Sequence, residues 1–71
     1  MPNFKPGDTA YIIENNLNIS KVQIRSFSGG FYLLRIISTG AGTRLRSDRL
    51  FATREEAEAE LKDRKKKRQN G

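Results

Sequence analysis

Lysine and arginine are the residues of this chain whose types and spacing could do chemistry. Lys21, Arg25, Arg35, Arg44 and Arg46 are interleaved with apolar residues through the middle of the sequence, and Lys62, Arg64, Lys65, Lys66, Lys67 and Arg68 crowd its end. Guanidinium and ammonium groups bind phosphate and carboxylate oxygens, so the chemistry on offer is anion recognition. The groups that bond-breaking usually needs are missing. There is no histidine and no cysteine, which removes the commonest general base, the Ser-His and Cys-His nucleophile pairs, and the usual zinc and iron ligand sets. Asp8, Glu14 and Asp48 stand alone along the chain and read as turn and surface residues rather than as a Mg²⁺ site. Gly29-Gly30 and Gly40-Ala41-Gly42 lack the G-x-x-x-x-G-K-[ST] spacing of a phosphate loop and read as hairpin turns. The expectation is a protein that is no enzyme and holds no metal or cofactor.

The chain has 71 residues, enough for one small domain. Its 14 basic and 8 acidic residues give a formal net charge of +6. Residues 62–71 hold six bases and one acid, so +5 of that charge lies there and residues 1–61 carry only +1. Such a run suits a polyanion or an acidic surface; a solubilising end or a helix terminus would carry the same charges. Hydrophobic residues are 35% of the chain, and Met1 to Pro6 hold no apolar run of the kind a signal peptide needs. Together with the lack of cysteine, this leads us to expect a cytoplasmic protein with no membrane partner.

Several elements must position those cations. Lys5 to Asp8 (KPGD) is a turn by composition. Thr9 to Glu14 is rich in β-branched and aromatic residues and reads as a strand, followed by a polar loop at Asn15 to Asn18. Ile19 to Phe27 alternates, with Val22 and Ile24 on one face and Lys21, Gln23 and Arg25 on the other. Phe31 to Ile37 is the most apolar run and should be central, Thr43 to Ser47 alternates again, and Arg49 to Phe51 could add a short last strand. The period then changes. Thr53-Arg54-Glu55-Glu56 has the form of a capping box, opening a helix with acids in its first turns and bases at its end. Glu58 with Lys62 and Glu60 with Arg64 are spaced for ion pairs along it.

Side-chain parity predicts the pairing. A three-residue loop at Ser28 to Gly30 would pair Phe27 with Phe31, Arg25 with Leu33, Ile24 with Leu34 and Val22 with Ile36, which collects an apolar face. A four-residue loop at Ser38 to Ala41 would pair Leu34 with Leu45 and set Arg35 opposite Arg44. The other face then carries Lys21, Gln23, Arg25, Leu33, Arg35, Arg44 and Arg46, of which five are cationic and none acidic. It could be an ordinary solvated face whose arginine stems cover apolar surface, or an anion-binding face for phosphates. Phe27 and Phe31, if paired there, would offer bases a stacking platform.

The segment F-K-P-G-D-T-A-Y at Phe4 to Tyr11 resembles the opening strand of SH3-like small barrels, including KOW and Tudor-type domains. From Phe4 to Leu61 the chain is similar to small bacterial and phage proteins with a G-D-x-x-Y start, a G-G-F-Y-like hairpin and an R-L-F-x-T-x-E-E-A ending, here Arg49 to Ala57. The resemblance implies an SH3-like barrel, a fold that often binds RNA or protein. The chain has no tryptophan and no evident cage cluster of the kind Tudor-type domains use for methylated residues.

The reading as a whole is a mainly β domain over residues 1–61, with a C-terminal helix starting near residue 53. Its four or five antiparallel strands would form a meander curled toward an SH3-like barrel; the alternative is an open sheet with the helix packed on one face. Residues 62–71 would be a basic tail, either helix end or disordered. The expected function is a non-enzymatic accessory protein, monomeric, that binds DNA or RNA through the basic sheet face and tail. The alternative is an interaction module, bacterial or phage and regulatory, that docks on an acidic protein surface.

Overall fold

Alternation and turn chemistry build a four-stranded antiparallel sheet. In the computed structural model, which describes residues 4–70 and the side chains of residues 4–65, β1 (Thr9–Glu14), β2 (Asn18–Ser28), β3 (Phe31–Ile36) and β4 (Gly42–Leu45) pair in the order β1-β2-β3-β4. The KPGD turn is closed by the Asp8 N–H donating to the Lys5 carbonyl at 2.9 Å, with Gly7 at φ +94°. That is the position where a type II turn with proline before it demands glycine. Asn15 and Asn16 both take left-handed φ to join β1 to β2, a conformation that asparagine tolerates better than most residues.

A 3-10 turn at Ser47–Arg49 then carries the chain from β4 to the far edge of β1, where Phe51 and Tyr11 exchange two backbone hydrogen bonds of 2.9 Å. In a flat sheet, four strand spacings would separate β4 from Phe51, about 19 Å, yet six residues containing a 3-10 turn reach only about 16 Å. The sheet therefore curls, and the curl wraps its apolar face around a core. Ala10, Ile12, Val22, Ile24, Tyr32, Leu34 and Leu50 are buried there, with Phe4, Ile36 and Leu45 packed against them. The apolar set predicted from parity, Val22, Ile24, Leu34, Ile36 and Leu45, lies within this core, which adds Ala10, Ile12, Tyr32 and Phe4. Leu50, from the crossing segment, completes it in place of a regular fifth strand.

Two registers differ from the sequence reading. Gly29 and Gly30 both have positive φ, +60° and +84°, so the β2–β3 connection is a two-residue turn of the type I′ kind. Ser28 stands opposite Phe31, and Phe27 opposite Tyr32. A bulge between Ile24 and Ser26 absorbs the extra residue, Arg25, and restores the expected Ile24–Leu34 and Val22–Ile36 pairs. In the β3–β4 hairpin the loop starts one residue early. The Ile36 N–H donates to Ala41, the Gly40 N–H donates back to Ile36, and Gly40 turns at φ +77°. Pairing moves by two residues, to Tyr32–Leu45, Leu33–Arg44, Leu34–Thr43 and Arg35–Gly42. A slip of two keeps every side chain on its face, so Leu45 still joins the core but Arg35 does not face Arg44.

The helix α1 spans Arg54–Asn70 and lies against β1 and β2. Thr53 caps it as predicted, its hydroxyl accepting from the Glu56 N–H at 3.2 Å; the Glu56 carboxylate reaches back to the Ala52 N–H at 3.3 Å, one residue beyond its expected partner. Ala57 is fully buried. Glu60 pairs with Arg64 at 2.8 Å, while Glu58 pairs with Arg54 rather than with Lys62. The basic run continues the helix: its backbone is helical to Asn70. Among the described residues, no helix is long and apolar enough to cross a membrane.

Candidate nucleic-acid interface

The outward face of the sheet is organised in rows that run across the strands. One row is Thr9, Gln23, Arg35 and Gly42; the next is Ser26, Leu33 and Arg44; a third pairs Ser28 with Phe31. Lys21 lies opposite Tyr11 in β1, and Arg25 sits at the bulge. Lys21, Arg25, Arg35, Arg44 and Arg46 are all exposed. The ion pairs Arg54–Glu58 and Arg64–Glu60 are both on the helix. Asp8 accepts a bond from the Lys5 N–H, and Glu14 accepts one from the Ser20 hydroxyl. The strand residues of this face thus include the five cations and no acid, as the alternation predicted, although their cross-strand neighbours differ from those expected.

Phe31 anchors one end of this face. It is half-buried, and the guanidinium carbons of Arg44 and Arg46 lie 5.6 and 5.7 Å from its ring centroid. At that range each guanidinium is attracted by the ring quadrupole. Phe27 does not belong to this group. The two-residue turn puts it on the core side of the sheet, where its ring packs 4.6 Å from Tyr32, so Phe27 and Phe31 form no common platform. Phe4 meets the same Tyr32 edge-on at 5.9 Å.

At the other end lies an open depression of about 240 Å³ lined by Arg25, Leu33, Leu34, Arg35, Gly40 and Gly42. It is smaller than the range of roughly 300–1,000 Å³ usual for small-molecule sites, and it is open rather than enclosed. It exists because two glycines face Arg35. Gly42 is its cross-strand partner, and an Arg35 Nη lies 3.9 Å from where a Gly40 Cβ would stand. Nothing in the sequence reading found this notch; the signal was Gly42, whose opposite number is fixed only once the hairpin register is known. Leu33 and Ile37 are also exposed, at 42% and 52%, and add apolar surface among the cations.

The remaining cations of the predicted set lie on the helix. Lys62 and Lys65 are exposed. Arg64 is half-buried and committed to the fold: besides Glu60, it donates to the Asn16 side-chain oxygen at 2.9 Å, pinning the helix to the β1–β2 turn. The predicted contacts of Lys66, Lys67 and Arg68 lie outside the residues whose side chains are described. Among the described residues, no group of three metal-ligating side chains comes together. In comparisons with known proteins, no protein-family model, no curated protein and no solved structure matches this chain.

Proposed function

We propose that this chain is a non-enzymatic, nucleic-acid-binding accessory protein that meets phosphates with the outward face of its sheet and with its basic helix. One observation carries the reading. Five exposed cations share a face without an acid, and two of them flank an aromatic ring. Phosphate contacts from arginine and lysine supply sequence-independent affinity, so binding should be salt-sensitive and weakly sequence-specific. The lack of histidine and cysteine supports a binding role over catalysis. The passage from β4 through a 3-10 turn to a bridge on β1 supports the SH3-like, KOW-related reading of the fold. We read the protein as a cytoplasmic monomer of bacterial or phage type.

A second reading has its own support. Leu33 and Ile37 are exposed beside the arginines, and apolar residues mixed with arginine also suit a protein interface. In that case the partner is an acidic protein surface. The test is anisotropy of a labelled DNA strand, an RNA strand and a DNA duplex titrated with the intact protein across salt. Binding at low salt that weakens linearly in log-log form supports the proposal. Absence of binding at low salt overturns it and leaves the acidic-protein reading.

A further inference from the structure

Resting on the nucleic-acid reading, we infer that the outward face selects single-stranded over double-stranded nucleic acid, stacking a base on Phe31 and seating a phosphate in the Arg25–Arg35 notch.

The outer strands of a four-stranded sheet lie about 14 Å apart, whereas the major groove of B-DNA is about 12 Å wide and admits a helix or a two-stranded ribbon. The whole face cannot enter it. Against the outside of a duplex the face would meet phosphates only, and Phe31 and Leu33 would find nothing to pack on. A single strand presents phosphates and unstacked bases together, and bases stack on aromatic rings and on arginine planes.

The arrangement along β3 suits that alternation. Phe31, Leu33 and Arg35 point outward in succession, about 7 Å from one to the next. The guanidiniums of Arg44 and Arg46 lie over the Phe31 ring, so a base stacks there by displacing one of them or by stacking on the arginine plane itself. Leu33 is exposed apolar surface, and Arg35 opens onto the depression. The depression depends on Gly42. A Cβ there would meet the Leu34 carbonyl at 3.8 Å, an ordinary contact, and Gly42 has no left-handed φ. A larger residue at 42 would therefore be accommodated by the strand while filling the space beside Arg35.

The test measures affinity for a labelled oligothymidylate and for the same strand annealed to oligoadenylate, at matched salt, with the intact protein, Phe31→Leu and Gly42→Val. The inference expects tighter binding of the single strand. Phe31→Leu should weaken it about tenfold or more with the salt slope unchanged, because no charge is lost. Gly42→Val should melt no lower than the parent and lose several-fold in single-strand affinity, with a shallower salt slope. Ultraviolet cross-linking of the single strand should map to the Phe31 segment. Equal affinity for both forms, with Phe31→Leu and Gly42→Val silent, overturns the inference and leaves the nucleic-acid reading standing. Failure of the intact protein to bind either probe at low salt overturns both.

Discussion

The two faces of the sheet are made from alternate residues of the same four strands, and different physics governs each. On the inner face, Val22, Ile24 and Leu34 are the largest fully buried side chains, and each gains free energy by leaving water. The face they take is fixed because a slip of one residue would turn them outward, while the turns choose between registers two residues apart. On the outer face, Arg35, Arg44 and Arg46 remain exposed and contribute little to stability wherever they stand. Nothing in folding penalises a slip of two there. The inner face therefore sets which residues point outward, the turns set how they pair, and the outer face receives its geometry from both. It is the outer face, free of that constraint, whose cations can be spent on recognition.

Neighbouring leucines offer the sharpest way to break this contrast. Leu34 is 1% exposed and Leu33 is 42% exposed. Leu34→Ala should cost about 2–5 kcal/mol, enough to unfold a domain this small in mild denaturant. Leu33→Ala should cost less than about 1 kcal/mol while weakening single-strand binding. Urea melts of the two variants, run together, decide whether the faces are assigned correctly.

The turn that sets their register comes next in size. Gly29 and Gly30 both occupy left-handed backbone with open space around them, so any penalty on substitution is conformational rather than a clash. Valine at either position should cost about 1–3 kcal/mol, and asparagine markedly less. Thermal melts in which valine and asparagine behaved alike would remove the two-residue turn. At the helix, Thr53→Ala should cost about 0.5–2 kcal/mol through loss of the cap on Glu56, read as a lower midpoint in chemical denaturation.

The smallest effect is the most informative about the outer face. Strict parity with the expected loop would set Arg35 against Arg44, and relieving that repulsion would stabilise the fold. The observed partners are Gly42 and Leu33. Arg35→Ala with Arg44→Ala should therefore lower stability by no more than about 1 kcal/mol, through loss of the Arg44 contact with Phe31, and a clear rise in melting temperature would restore the like-charge pair.

Much of this was legible in the sequence, for stated physical reasons. Thr9 to Glu14 is a strand as read, because β-branched and aromatic residues fit a pleated surface. Thr53 and Glu56 announced the helix start. The acid-free row was visible because period-2 alternation survives any shift by two. Three features were hidden. Two glycines in succession do not declare whether a turn has two residues or three, and that choice moved Phe27 to the other side of the sheet from Phe31. The bulge at Arg25 compensates for the turn and leaves no local mark. The notch depends on Gly42 meeting Arg35 across a loop whose first residue could not be read from composition. The sequence places Arg64 within a basic run suited to binding, but its bond to Asn16 depends on how the helix lies against β1.

The central claim is that the sheet face, beyond the basic run on the helix, binds phosphates. Its most direct test is a salt titration of single-strand binding for three proteins: the intact chain, Arg35→Ala with Arg44→Ala, and Lys65→Gln with Lys66→Gln and Lys67→Gln. Each lost phosphate contact should reduce the log-log salt slope by about 0.7 for a single strand. The account predicts that the arginine pair lowers both the affinity and the slope, the latter by about 1.4, with the fold retained, and that the lysine triple variant weakens binding yet leaves it measurable. Loss of all binding in the lysine variant, with the arginine pair silent, would contradict it.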